Sequence, residues 1–357
     1  MKTRKTFFTL LAILIAMIML VSACAPAAAP APAQEAPPAQ RDGGWVIGFS
    51  NFSLANAWRV QMVAEFEYAS SRLIEQGVIS EVIMTHADND ISQQISDLRD
   101  LIVMGVDAIV VTAASPTALI PVFEEAIDAG IVVVCFDQVT EFFDIASNVR
   151  MSDFEYGAIG GRWLVDQLGG VGQAQGDIII LNGLAGTMGS AQRYAGAMFY
   201  LGREPGINVL GDAHANWAYA PAKIAMEAFL AAHPNIDGIW SSGGAMTQAA
   251  IDAFNEAGRP LVPMVGGNNN GFLKAWIENA PYGFTSIAPS YEPRIVNLAL
   301  DTAIRALRGE SVDRQITIDI PVITEDNKHE FVRWDLPDSF FVASDLSEEK
   351  IVELFRD

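Results

Sequence analysis

Residues 108–137 read AIVVTAASPTALIPVFEEAIDAGIVVVCFD. Two continuous apolar runs, 108–112 and 131–136, flank a stretch from Pro116 to Ala129 that has helical spacing. Short runs rich in Val and Ile, with no polar alternation, are strands buried on both faces. A helix between two such strands is the crossover of a parallel pair. Gly130 stands at the helix end, where a left-handed residue closes the last turn.

The same rhythm extends in both directions. Upstream, strands are expected at 45–49 and 82–84 and helices at 58–76 and 91–104. Asp90-Ile91-Ser92-Gln93 has the spacing of a capping box with Asp at its head, and Gly77 and Gly105 mark helix ends. Downstream the series restarts at 177–181 and continues with strands at 207–211, 238–241, 261–265 and 284–288. Helices are expected at 190–201, 221–232, 246–257 and 272–279. Two βα series of similar length predict an α/β protein of two similar open parallel-sheet lobes. In such sheets ligands bind beyond the carboxyl ends of the strands. The residues there are polar and aromatic: Ser50-Asn51-Phe52, Asp137-Gln138, Asn182-Gly183, Asn216-Trp217, Ser241-Ser242-Gly243 and Asn268-Asn269-Asn270.

The chain opens with a basic head, Lys2, Arg4 and Lys5, and then an apolar run at 7–21. That run is shorter than the ~20 residues a membrane-spanning helix needs, and suits an export signal. It ends in Val21-Ser22-Ala23-Cys24, which resembles the bacterial lipobox, with cleavage before a lipidated Cys24. An ordinary signal peptide cut nearby is the alternative. Residues 25–40 are almost all Ala and Pro, a composition that buries no core and suits an extended tether. The reading is a soluble body held outside the cytoplasm, anchored by lipid to the cell membrane. The envelope type is left open.

The formal net charge is −21, and removing the basic head makes it more negative. Such a surface repels nucleic acid and favours solubility. With Cys24 acylated, Cys135 has no partner, so no disulfide framework exists; it reads as a small buried hydrophobe.

Several signals lead nowhere. His86, His214, His233 and His329 lack any zinc-ligand spacing. Asp88-Asn89-Asp90 lacks the glycine and distal glutamate of a calcium loop, and reads as a turn and helix cap. Gly169-Gly170-Val171-Gly172 lies between a helix and a strand, the wrong order for a dinucleotide fingerprint. There is no Gly-x-Ser-x-Gly elbow and no Walker motif. No cofactor, metal or catalytic residue is expected.

Four local patterns carry a resemblance: Ile47-Gly48-Phe49-Ser50 with Asn56-Ala57-Trp58; residues 132–137 ending in Asp137; Leu184-Ala185-Gly186-Thr187 with Ser190-Ala191 and Arg193-Tyr194-Ala195-Gly196; and Val265-Gly266-Gly267-Asn268. In this order and spacing the chain resembles the type I, ribose-binding-protein-like, substrate-binding lipoproteins of bacterial sugar ABC transporters. The resemblance implies two lobes joined by a multi-strand hinge that closes on a sugar. It implies lobes at 44–150 plus about 289–318 and at 151–288 plus about 319–330, after a signal at 1–23 and a tether at 24–43. Residues 331–357 would be a C-terminal strap, with a final helix near 347–355.

A sugar presents hydroxyls at its rim and apolar C–H faces, so its site needs planar aromatics and bidentate polar groups. Trp58 and Trp217 are the stacking candidates, one per lobe, with burial in the core as the bland alternative. Asp137 and Arg193 are the charged candidates for the hydroxyls. Turn capping and a surface salt bridge are their alternatives. Asn51, Asn56, Arg59, Gln138, Ser242, Asn268, Asn269 and Ser290 complete the polar set, and Asp153 reaches the ligand or caps the following helix. Ribose binders carry arginine where Gln138 stands, Asn-Asp where Ser241-Ser242-Gly243-Gly244 stands, and aspartate where Asn268 stands. These departures point away from ribose itself, toward another polyhydroxylated or small polar solute. The implied partners are that solute, an ABC permease and the membrane, with no nucleic acid and a monomeric body. A sensory receptor sharing the pocket is the rival reading. An extracytoplasmic hydrolase lacks a nucleophile and base. A lactose-repressor-like regulator would need a basic helix-turn-helix where the export signal stands.

Overall fold

The computed structural model describes residues 43–356; the signal, Cys24 and the tether up to residue 42 lie outside the described residues. The chain builds β1 (Trp45–Asn51), α1 (Ala57–Glu75), β2 (Ile79–His86), α2 (Ile91–Met104), β3 (Ala108–Thr112), α3 (Ile120–Asp128), β4 (Val132–Phe136) and β5 (Ser147–Met151). It continues through α4 (Asp153–Gln167), β6 (Gln175–Asn182), α5 (Met188–Leu201), β7 (Gly206–His214), α6 (Tyr219–Ala232), β8 (Gly238–Ser241), α7 (Gly244–Glu256), β9 (Met264–Val265), α8 (Asn270–Asn279) and β10 (Ser286–Pro289). Then come α9 (Ile295–Leu307), β11 (Gln315–Ile318), β12 (Val322–Ile323), α10 (Lys328–Phe331) and α11 (Glu348–Phe355).

The strands form two six-stranded sheets, β11-β5-β4-β3-β1-β2 and β12-β10-β9-β8-β6-β7. Every pairing is parallel except that of β12 with β10. The chain crosses between the sheets three times: after β5, after β10 and after β11. Each sheet has its topological switch where its first strand meets its third, between β1 and β3 and between β6 and β8.

The apolar runs lack alternation because both faces of each sheet are covered. Ala108, Val110, Val134 and Phe136 join Phe66 of α1 and Leu300 of α9 in one core, while Ile109, Val111, Val133 and Cys135 pack with Leu101 of α2 and Phe123 of α3. In the second sheet Ile179 and Ile239 face α7 and α8, and Ile178 and Trp240 face α4 and α5. Cys135 is fully buried, and burial pushes its thiol up to about 12. Helices α4 and α5 touch backbone to backbone: a Cβ on Gly157 would lie 1.9 Å from the Arg193 carbonyl oxygen, and one on Gly196 2.0 Å from that of Phe154. These glycines, which weaken an isolated helix, let Arg193 approach the first turn of α4.

The structure differs from the sequence expectations in detail. β5 was not legible, the helix expected from Pro116 begins at Ile120, and the run 261–265 yields only the two residues of β9. Asp90 caps α2 through Oδ1, and Asp88 and Asn89 are left-handed turn residues. Among the described residues no helix is long and apolar enough to cross a membrane, and no cluster of metal-ligating side chains occurs.

After α10 the chain runs along both lobes to α11, with Leu336, Phe340, Leu346 and Ile351 packed in a small cluster beside Tyr68 of α1. In this contact Glu65 is fully buried and accepts from Ser344 Oγ, Asp345 N and Asn297 Nδ2. Burial raises its pKa above the ordinary 4.5, against the pull of those hydrogen bonds. A carboxyl raised in the folded state stabilises the fold below its ordinary pKa, and loses that contribution as pH rises through the folded value. The melting temperature of the wild type minus that of Glu65→Gln should therefore fall as pH rises from about 4 to about 8. A difference that stays flat or grows with pH would show that burial does not raise the Glu65 carboxyl.

Candidate functional site: a cleft between two switch points

A cavity of about 490 Å³ lies between the lobes, lined from the first by Phe52, Asn56, Trp58, Arg59, Asn89, Asp137 and Gln138. The second lobe supplies Asp153, Tyr156, Arg193, Trp217, Gly243 and Asn268, and Tyr291 and Phe341 complete the wall. A volume of this order suits a small ligand.

The first-lobe wall is organised by α1 and β4. Asn56 caps α1, its Oδ1 accepting from Arg59 N at 3.0 Å, and so starts the helix at the cleft. Trp58 and Arg59 follow on its first turn. Arg59 donates to Asp137 Oδ2 at 2.5 Å and to Thr112 Oγ1 at 3.2 Å, and its guanidinium lies 4.3 Å from the centre of the Phe52 ring. Asp137 leaves β4 in a left-handed conformation, φ +58°, and accepts a second bond from Tyr291 Oη at 2.9 Å. Trp58 donates its indole N–H to the Tyr291 carbonyl at 3.0 Å. Burial, and then the Asp137 and Asp153 carboxylates, hold the Tyr291 phenol well above its ordinary value, so it remains a donor.

The second-lobe wall centres on Arg193. Its Nε donates to Asp153 Oδ1 at 2.7 Å and its Nη1 to the Ser242 carbonyl at 2.8 Å. The guanidinium lies 4.1 Å from the Tyr156 ring centre and 4.5 Å from that of Tyr291. Burial disfavours the charge on Arg193, but Asp153 and the two tyrosines outweigh it and raise its pKa. Burial raises the Asp153 carboxyl against the pull of Arg193. Ser152, not Asp153, caps α4, accepting from Glu155 N.

Trp217 sits in a strained turn. Asn216 and Trp217 have φ of +56° and +54°, closed by a bond from Ala218 N to the Ala215 carbonyl at 2.9 Å. Two left-handed central residues make a type I′ turn, costly for a bulky side chain and typical of ligand clamps. The indole packs directly against Gly183, where a Cβ would be 2.1 Å from the ring, and a Cβ on Gly243 would come within 3.1 Å of it. His214 steadies Gly183 from behind, its Nδ1 3.0 Å from the glycine carbonyl. Trp217 Nε1 and Asn268 Nδ2 are buried without a hydrogen-bond partner among the described residues.

Nine of the thirteen expected binding residues line the cavity: Asn56, Trp58, Arg59, Asp137, Gln138, Asp153, Arg193, Trp217 and Asn268. Four are placed elsewhere. Asn51 turns into the lobe, its Nδ2 donating to the Ser53 carbonyl at 2.7 Å beside His86. Asn269 caps α8 and donates to the Asp338 carbonyl. Ser242 contributes its carbonyl to Arg193 rather than a face to the cavity. Ser290 is buried in the second crossing, its N–H bonded to the Pro321 carbonyl. Sequence reasoning missed Tyr156, Tyr291 and Phe341. Only Tyr156 had a local signal, standing one helical turn after Asp153.

Residues 47–311 match the family described as "Periplasmic binding protein domain". A xylitol-binding protein of Mycolicibacterium smegmatis is 33% identical over 252 residues, covering 69% of this chain and 69% of its own. The ribose import binding protein of Bacillus subtilis is 26% identical over 282 residues, covering 79% of this chain and 88% of its own. An ABC transporter solute binding protein from Thermobispora bispora shares the fold with a TM-score of 0.75 at 24% identity, over 87% of this chain and 94% of that one.

The seat of Trp217 is open to test. Gly183→Ala should leave secondary structure intact and shift the indole, read as a change in tryptophan emission and near-ultraviolet circular dichroism. A methyl forced into this contact should destabilise the protein by about 1–3 kcal/mol in denaturant titration. Unchanged spectra and stability would place the ring off Gly183.

Proposed function

This chain belongs to the periplasmic binding protein family, and on that premise we propose that it is the solute receptor of an ABC transporter for a small uncharged sugar or polyol. The observation that supports this most is the charge balance of the cleft. Both lobes bring a cation, and each cation is matched by a carboxylate of its own lobe, Arg59 with Asp137 and Arg193 with Asp153. A net charge on the solute would have no complement there, and burying an unmatched charge is costly. Hydroxyl groups are suited instead, because each both donates and accepts. They can use the remaining lone pairs of the Asp137 and Asp153 carboxylates, both of which line the cavity. Trp58, Phe52 and Tyr291 offer apolar ring surface to the C–H groups.

The relatives support the same class: one is named for xylitol and one for ribose. Of the two, xylitol accords better with a cleft that holds Gln138 in place of the arginine of ribose binders. Since the lining comes from both lobes, a bound solute favours the geometry in which they close on it. Hinge closure around a ligand is the known behaviour of periplasmic binding proteins as a class, and this chain takes the mechanism from its family. The closed form would then deliver the solute to a membrane permease. We also read Cys24 as the lipid attachment point and 25–40 as the tether, on the strength of Val21-Ser22-Ala23-Cys24 and the Ala/Pro composition.

Calorimetric titration of the full chain with xylitol, D-ribose, myo-inositol, gluconate and glutamate tests the reading. Uncharged polyols or sugars should bind, and Asp137→Ala and Arg193→Ala should each weaken binding at least about 100-fold, the cost of leaving a buried charge unpaired. Binding only of the anionic solutes would overturn it. Expression in a bacterial host tests the anchor separately: the protein should incorporate labelled palmitate and Cys24→Ala should not, and equal labelling of the two would exclude lipidation at Cys24.

A further inference from the structure

Three chain crossings join the lobes, and the C-terminal segment makes a further link that lies beyond the family match, which ends at residue 311. On the second lobe it is held along its backbone. Asn270 N donates to the Phe340 carbonyl at 2.8 Å, Gly271 N to that of Asp338 at 3.0 Å, and Val342 N to that of Asn268 at 3.1 Å. Asn270 Nδ2 donates to the Arg333, Leu336 and Pro337 carbonyls, and Lys274 Nζ to that of Leu336.

On the first lobe the same segment is held by α1. Gln61, fully buried, spends its whole amide on one residue: Nε2 donates to the Phe341 carbonyl at 2.8 Å, and Oε1 accepts from Phe341 N at 2.8 Å. Glu65, one turn on, takes Ser344 Oγ and Asp345 N, and the Asp345 carboxylate receives Arg294 and Asn297. Phe341 is thus gripped by α1 on one side and bridged to Asn269 on the other, and its side chain lines the cavity.

The two anchors sit directly behind ligand-facing residues. Helix α1 carries Trp58 and Arg59 on the turn before Gln61, and the Val342 bond is made to the backbone of Asn268. We propose that the C-terminal strap, residues 332–346, is a clasp that ties α1 to the Asn268 loop and biases the lobes toward the spacing of this structure before any ligand binds. Separation of the lobes must break one anchor, because both are satisfied only at one spacing. The first-lobe anchor is the smaller and gives way, exposing the buried Gln61 and Glu65 to water. The bias would be built into the chain, so that solute affinity is tuned by the strap and not by cleft contacts alone. The inference rests on the two-lobe architecture and not on the identity of the solute.

The test needs no ligand. In the full chain, dyes attached through non-natural amino acids at Val103 and Ile224, exposed positions of the first and second lobe, report the interlobe distance by energy transfer. Gln61→Ala and, on the strap itself, Ser344→Ala should each populate a longer distance in the ligand-free protein. The ratio of the present spacing to the longer one should fall about tenfold in Gln61→Ala, the order expected for losing two buried hydrogen bonds. The same ligand-free distance distribution in the wild type and both variants would overturn the proposal, whether or not their melting temperatures fall. Ser344→Ala leaves the Gln61 pair in place, so it remains readable if Gln61→Ala does not fold.

Discussion

The buried carboxylate of Asp137 is the point on which the cleft depends. It leaves the end of β4 in a left-handed turn and takes Arg59 from α1 and Tyr291 from the second crossing. A carboxylate so far from water must be matched by charge and hydrogen bonds. Here those partners come from two parts of the chain far from β4, α1 and the second crossing. The Tyr291 ring then lies beside Arg193, whose other bonds run to Asp153 and Ser242 in the second lobe. A continuous line of contact runs from one lobe to the other through a residue of the hinge. Removing Asp137 would strand Arg59 and release Tyr291, so its effect would reach past its own ligand contact.

The pseudo-symmetry of the lobes explains why so few residues make a site. Both sheets use the same strand order about a switch point, and the two switch points face each other across the cavity. The supporting histidines repeat as well: His86 at the end of β2 supports Asn51, and His214 at the end of β7 supports Gly183. The lobes differ in what they display. The first offers a helix start with an aromatic and a cation; the second offers an arginine brought close by helix glycines and a tryptophan seated on a glycine.

Much of this was legible in the sequence, and the limits have physical causes. Continuous Val and Ile runs betray strands covered on both faces, and strand ends point to the cleft, so Asp137 and Trp217 could be found; Arg193, inside α5, was pointed to by the family resemblance. Asn51 and Asn269 misled because asparagine is as apt to bond its own backbone as a ligand; both do so, at a strand end and a helix start. β5 was invisible because Ser147-Asn148-Val149-Arg150-Met151 mixes polar and apolar residues, and its place between β4 and β11 is fixed by tertiary pairing. Tyr291 reaches the cleft on the second crossing and Phe341 on the C-terminal segment, and no local pattern encodes either.

The strap changes how affinity relates to the cleft. In a receptor whose lobes are joined only at a hinge, the open state costs little and the ligand must supply the closing free energy. Here the groups that close the first-lobe anchor, Gln61 and Glu65, are fully buried. Their bonds to the strap are exchanged for water when the lobes part, and the balance of that exchange is small for each bond. A handful of such bonds therefore tilts the equilibrium and does not lock it. Solute contacts need then add only a modest increment to shift the population. That arrangement suits a cleft whose own charges are already paired and whose spare binding capacity is a few carboxylate lone pairs.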